Sequence, residues 1–265
     1  MYRFLLSRRW LGFAVFAVVV AGVCIRLGMW QFDRLDERRA DNHRIEANLA
    51  VDPSPVTSVV SAGGSVDSGD EWRQVTATGH FDSSQQVILS QQTREVGPGV
   101  DVLTPLVLPE GVAVIVDRGW LAINSPSEVP TPPPAPTGPV KVTGWLRVDS
   151  DADSWATTPE DDGTMRAVDS GDLAGSLPYD VLPGWIAMTS QQPPAHDALA
   201  APEAPDLGDG PHFFYGLQWW FFAGLALVGY CWFAWTEAHP RRPGQAVDAD
   251  PQEEPAEPAE SSPRT

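Results

Sequence analysis

Two clusters of residues, far apart in the chain, have the chemistry to hold an amphipathic, metal-bearing ligand. Arg26, Trp30, Gln31 and Arg34 form the first, and His212, Tyr215, Gln218 and Trp219 the second. An imidazole can bind a haem iron axially, aromatic rings can flank the macrocycle, and guanidinium groups can neutralise its propionates. On a helix, His212, Tyr215 and Trp219 are spaced i, i+3, i+7 and share a face. Gln218 lies inside an apolar run, where an amide prefers a protein partner to lipid. A plainer reading competes: Trp and Tyr gather at membrane surfaces in most membrane proteins, and Arg snorkels there as routine. Spacing alone leaves both readings open. Other chemistries lack their residues, since the chain has no GxSxG elbow and no HExxH pair. Lys141 is the only lysine, with no Ser three residues before it, and no two of the many acids stand out as a catalytic pair. An enzyme is not expected.

Both clusters border stretches that can cross a bilayer. Trp10 to Ile25 carries no charge, and neither does Phe213 to Trp235. At ~1.5 Å per residue the second reaches roughly 34 Å, enough for a ~30 Å hydrocarbon core. The first needs Arg26 to Gln31 to reach that length, with Arg26 snorkelling from its outer end. A cleaved signal peptide would share the basic start of Arg3, Arg8 and Arg9, but no small-x-small site follows the apolar core. An uncleaved anchor is therefore expected. No Lys or Arg occurs between Arg166 and Arg241, whereas His239, Arg241 and Arg242 follow the second span at once. That puts the C-terminus in the cytoplasm and, with two spans, the N-terminus as well. Arg26, Arg34, Arg38, Arg39 and Arg44 argue the other way and imply that those charges stay outside for a reason. The expected segments are a cytoplasmic start over 1–9, a span over 10–31, a helical extension over 32–52, an extracytoplasmic domain over 53–211, a span over 212–235 and a disordered acidic tail over 236–265.

Charge and cysteine usage narrow the classes further. The formal charge is −18, yet residues 1–44 carry eight Arg against four acids, and residues 45–210 carry six bases against twenty-four acids. Such a distribution solvates a domain and offers no basic face for nucleic acid. Cys24 and Cys231 fall in the spans at opposite ends, too far apart to bridge. The central domain has no cysteine, so it has neither a disulfide framework nor the paired thiols of a copper carrier.

Strand signals fill that domain at Trp72–Phe81, Gln86–Ser90, Val100–Leu108, Val112–Asp117, Val140–Val148 and Trp185–Met188. Pro105 marks its strand as an edge or a bulge. The apolar run Val112–Val116 reads as a buried strand, and Pro126 to Pro139 as a stiff connector. Only Asp169 to Leu177 has helix signals, with Asp169 as cap. The expected fold is two transmembrane helices flanking an extracytoplasmic antiparallel β-sheet or small barrel with one short helix.

At these residues the sequence resembles the surfeit locus protein 1 family of cytochrome c oxidase assembly factors, over most of residues 11–235. Leu27-Gly-Met-Trp-Gln-Phe-Asp-Arg34 is similar to the family's LGxWQxxR segment. Trp72-Arg73 with Gly79-His-Phe-Asp82, Gly99 to Leu106, and Val116-Asp-Arg-Gly-Trp120 follow in the family's order. His212-Phe-Phe-Tyr-Gly-Leu-Gln-Trp219 matches its HxxYAxxW start of the second helix. Departures are Leu121-Ala122 after the Arg-Gly-Trp triplet, Pro211 where Asn is usual, and Gly216 in place of Ala. The resemblance implies a role in delivering haem a to the oxidase catalytic subunit, with that subunit, and a haem a synthase, as partners. It further implies His212 as the iron ligand, in a cell membrane protein. A haem-independent scaffold that steadies an oxidase intermediate is the alternative. Arg118 is expected to pin a turn through carbonyls or Asp117, Gly119 to satisfy backbone geometry and Trp120 to pack.

Overall fold

The computed structural model describes residues 3–125, 128–194 and 199–239. The chain divides into two units, Met1–Phe32 with Pro211–Thr265, and Asp33–Gly210. Arg241, Arg242, His196 and the acidic tail, on which part of the sequence reading rests, lie outside the described residues.

The first unit is a pair of helices. Helix α1 runs unbroken over Arg8–Leu49, because no proline interrupts it before Pro53 and its charged second half is rich in good helix formers. Helix α4, the last of four, spans His212–Ala238. Both are long and apolar enough to cross a membrane. They pack antiparallel along a seam of small residues. Ala17, Ala21, Cys24 and Gly28 are buried on α1 at alternating steps of four and three, the period of a two-helix seam. On α4 the matching residues are Gly216, Ala223 and Ala234. Small side chains let the backbones approach, which is how helices associate in a solvent as apolar as themselves. Larger rings close the gaps. Trp10 and Phe13 meet the Tyr230 ring at 5.9 and 5.5 Å, and Phe32 meets Trp220 at 5.0 Å.

The second unit holds the strands β1 (Ser54–Pro55), β2 (Gln74–Phe81), β3 (Val87–Leu89), β4 (Gly99–Val107), β5 (Ala113–Ala122), β6 (Val140–Arg147), β7 (Thr164–Met165) and β8 (Val181–Gln192). Two short helices, α2 (Ser154–Thr157) and α3 (Ser170–Ala174), lie between β6 and β8. Strand order is β1-β2-β6-β8-β5-β4-β3-β7, and an added β2–β4 pairing closes β2, β6, β8, β5 and β4 into a small barrel. The barrel is not simply antiparallel. β5 runs parallel to β8, as β1 does to β2 and β3 to β7. β6 carries the chain back to the end from which β5 started, and β8, antiparallel to β6, therefore lies parallel to β5. One short helix was expected where two occur, and Asp169 caps α3 by accepting from the Asp172 N–H at 2.9 Å.

Pro105 is neither on an edge nor at the bulge. β4 is flanked by β5 on one side and by β3 and β2 in succession on the other. The Pro105 carbonyl accepts from Asp82 N at 2.9 Å, so its missing N–H points into the junction where β2 ends and β3 begins. The register shift in β4 lies between Asp101 and Leu103 instead. The apolar run of β5 is buried on both faces. Val114 and Val116 join the barrel core with Leu106, Val142, Leu146 and Ile186, while Ile115 faces a second cluster with Leu103, Met165 and Leu173.

The charged continuation of α1 is tied to residues 206–209. Arg38 donates to the carbonyls of Asp206 and Gly208 at 3.1 Å and Arg39 pairs with the Asp209 carboxylate at 2.7 Å. Asn42, 8% exposed, donates to the Leu207 carbonyl at 2.7 Å.

Glycine at the helix seam has a measurable consequence. A Cβ at Gly28 would lie 2.3 Å from Trp220 Cδ1, whereas one at Gly22 would touch nothing within 4 Å. Gly28→Ala should therefore cost about 1–3 kcal/mol by overpacking. Thermal unfolding in detergent should show a lowered Tm for Gly28→Ala, no loss for Gly22→Ala, and partial recovery when Trp220→Leu is added to the former.

Candidate functional site

His212 opens α4 directly after Pro211, whose carbonyl accepts the Tyr215 N–H at 3.1 Å. Proline supplies no side-chain cap, and the imidazole of His212 is turned instead toward α1. Its Nδ1 lies 2.9 Å from Gln31 Oε1. A carbonyl oxygen only accepts, so the ring must donate through an Nδ1–H. That fixes the tautomer of the neutral ring and leaves the lone pair on Nε2, the arrangement a metal-binding imidazole needs. One turn into α4, a Cβ at Gly216 would lie 2.8 Å from the Phe32 ring, so glycine rather than alanine admits that ring. Phe32 also meets Phe213 at 6.2 Å, walling the His212–Gln31 pair with aromatic surface.

The other residues of the two clusters divide. Trp219 is half-buried and packs against Ala21, Cys24 and Ala223, filling the seam rather than facing a ligand. Tyr215 and Gln218 are exposed on the flank of α4. Arg26 and Trp30 do not join His212. Each lies two residues beyond a seam position, Cys24 or Gly28, which is about 200° around a helix, and both are exposed. Their direction around the helix is not that of the seam. Arg34 is exposed and donates to Glu37 at 2.6 Å. Among the remaining histidines, His80 lies in β2, His43 is 3.5 Å from Glu46, and His239 Nδ1 is 3.0 Å from the Trp235 carbonyl.

Arg118, Gly119 and Trp120 sit inside β5 rather than at a turn beyond it. Arg118, 2% exposed, donates to the carbonyls of Pro133 and Pro134 at 3.0 and 3.3 Å and to Gln86 Oε1 at 3.0 Å. It therefore pins the proline-rich connector onto the barrel. Asp117 accepts instead from the Gly119 N–H at 2.8 Å. Gly119 has φ +130°, and a Cβ there would lie 2.6 Å from the Ala200 carbonyl. This close approach lets the chain over 199–203 pair with the strand, Trp120 and Ala200 exchanging N–H···O bonds of 2.8 Å. Trp120 donates its indole N–H to the Gln92 carbonyl at 2.7 Å.

Asp117 was not singled out by sequence reading, although a carboxylate ending a buried apolar run is itself a signal. Burial pushes it up to about 8, with the nearby Asp101 charge adding to the effect. Because the folded group holds its proton where an unfolded aspartate has lost it, stability should fall as pH rises from about 4 through about 8. Asp117→Asn keeps an oxygen for the Gly119 N–H and removes the titration. Melting curves across that range should show a declining Tm for the parent and a flatter profile for the variant.

The SURF1 family profile matches residues 18–224. Uncharacterized SURF1-like proteins of Mycobacterium bovis and Mycobacterium tuberculosis are 30% identical over 252 residues, 94% of this chain and 92% of theirs. A SURF1-like protein of Dictyostelium discoideum is 28% identical over 125 residues, 45% of each chain. The motif segments from Leu27 to Trp219 fall within the matched span, and the chain belongs to the SURF1 family.

Proposed function

We propose that this protein is an assembly factor for a haem-copper terminal oxidase and helps haem a reach the catalytic subunit, with His212 as the iron ligand. In this reading α1 and α4 cross the cell membrane, both termini are cytoplasmic, and Asp33–Gly210 is extracytoplasmic. The oxidase catalytic subunit and a haem a synthase are its partners, as donor and acceptor of the cargo demand. The observation that carries the proposal is the 2.9 Å contact between His212 Nδ1 and Gln31 Oε1. Gln31 holds the ring in one tautomer and aims Nε2 away from α1, as an outer-shell partner does for metal-ligating imidazoles. Haem a is apolar over most of its surface, and the exposed Phe213, Phe214 and Tyr215 beside His212 offer it aromatic contact. In this reading the propionates of a haem on His212 are met by solvent, since Arg26 is exposed on another side of α1.

A second reading has its own support. The aromatic surface of α4, with Phe214 at 72%, Phe221 at 65% and Trp232 at 61% exposure, suits packing against helices of an oxidase intermediate without haem.

The deciding measurement is the optical spectrum of protein purified in detergent from cells that make haem a. A haem a absorption band is expected, most of it lost in His212→Ala. Gln31→Leu should retain less haem and shift the band, because the imidazole loses its orienting acceptor. Stoichiometric haem in His212→Ala would rule out His212 as ligand. Haem-free parent protein that still co-purifies with oxidase subunits would replace the proposal with the scaffold reading.

A further inference from the structure

A cavity of about 310 Å³ opens in the β-unit, between the barrel wall and residues 202–203. Its volume is at the lower end of those that hold small ligands. β4 contributes Asp101 to its lining, β5 contributes Asp117, β6 contributes Trp145 and Arg147, and β8 contributes Trp185. Arg94 precedes β4 and Glu203 follows the Ala200 pairing.

The two arginines are already engaged. Arg94 donates to the Ala201 carbonyl at 2.8 Å, lies 3.4 Å from Asp101 and covers the Trp120 ring at 5.0 Å. Arg147 pairs with Glu71 at 3.0 Å and stacks between Trp72 and Trp185, at 4.0 and 5.3 Å. Asp117 is different. Its side chain is 2% exposed and lines the cavity, and the Gly119 N–H is the one donor to it among the described residues. A buried carboxylate with spare acceptor capacity requires a proton or a cation. An anionic guest would meet Asp101, Asp117 and Glu203 together.

We propose that this cavity binds an organic cation, an alkylammonium or a guanidinium, whose charge is held by Asp117 and Glu203 and whose apolar stem lies against Trp145 and Trp185. Aromatic walls around a carboxylate base recognise such groups through cation–π attraction and desolvated ion pairing. The site lies in Asp33–Gly210 and stands whether or not His212 binds haem. Burial raises Asp101 to about 6 and Asp117 to about 8, so a cation must displace protons to enter. The charged groups facing it are Asp101, Asp117 and Glu203, against Arg94 and Arg147, so binding should strengthen as the acids ionise.

Calorimetric titration of the full-length protein in detergent with n-butylguanidinium and n-butylammonium tests this. Dissociation constants on the order of 1 mM are expected at about pH 8.5, weakening at least about tenfold at about pH 5.5. Butyrate and n-butanol should give no comparable heat. Asp117→Asn should abolish binding and exposed Glu203→Gln should weaken it roughly threefold, while Asp162→Asn, outside the cavity, should leave it unchanged. If Asp117→Asn fails to fold, the Glu203→Gln result and the pH dependence decide. N-acetyl-Gly-Arg-Gly-amide compared with butylguanidinium separates the two sources of such a cation. Tighter tripeptide binding identifies a polypeptide side chain, and tighter butylguanidinium binding identifies a free small molecule. Equal binding of butyrate, binding unaffected by either variant, or no heat with any cation would overturn the proposal.

Discussion

Close backbone approach at Gly28 and Gly216 is the constraint on which the His212 site depends. On helices apolar enough to cross a membrane, contact comes from close packing. Small residues along α1 and α4 supply it, and the heptad spacing keeps the same faces together from Trp10–Tyr230 at one end to Gln31–His212 at the other. The polar pair is thus the last step of an apolar seam. A slip of one residue would rotate Gln31 by about 100° and remove its oxygen from the imidazole. Phe32 fits at this point because Gly216 stands where the family resemblance leads one to expect alanine. The departure and the aromatic residue account for each other.

The β-unit rests on a different principle, charge buried with compensation. Arg118 lies inside a strand, and Asp117 beside it, in a layer where every neighbour from Ala113 to Trp120 is buried. Arg118 finds partners in a distant connector, and Asp117 finds one in its own strand. The connector lends Arg118 the carbonyls of Pro133 and Pro134. Gly119 lends Asp117 its N–H and, through its positive φ, admits the chain at Ala200. The Arg-Gly-Trp triplet is therefore a clamp for two non-adjacent segments. The acid in front of it is what the clamp leaves incompletely satisfied, and that residue faces the cavity.

Much of this was legible in the sequence, and the limits are physical. The two helices follow from uncharged runs, β2 and β6 from alternation, and β4 from its strand-forming residues, because each signal is local. β5 was read as ending at Asp117 because a charged pair looks like a surface, and its burial is arranged by loops distant in sequence. β8 extends far beyond Trp185–Met188, since Pro183, Gly184 and the polar Thr189–Gln192 conceal a strand paired along both sides. β1 and β7 have two residues each and leave no periodic trace. Parallel pairing of β5 with β8 depends on which strands the closed barrel sets side by side, which no local pattern encodes. At the candidate site, grouping by depth alone placed Arg26 and Trp30 with His212. Counting the helical angle from Gly28 would have separated them and kept Gln31.

The arginines after the first span posed the sharpest conflict in reading orientation. Positive charge near a span favours the cytoplasmic side, so Arg38 and Arg39 weigh against the proposed topology. The fold gives these two a reason to be where they are. Arg38 is divided between two carbonyls and the Asp206 carboxylate, Arg39 pairs with Asp209, and Asn42 holds Leu207 between them. Individually such exposed pairs contribute little, but here they share one short segment with a nearly buried amide. That segment continues back to Glu203 at the cavity and Ala200 against Trp120. The charged turns of α1 thus serve as the anchor for the chain that closes the β-unit, and losing their charge would loosen the cavity wall as well as the helix.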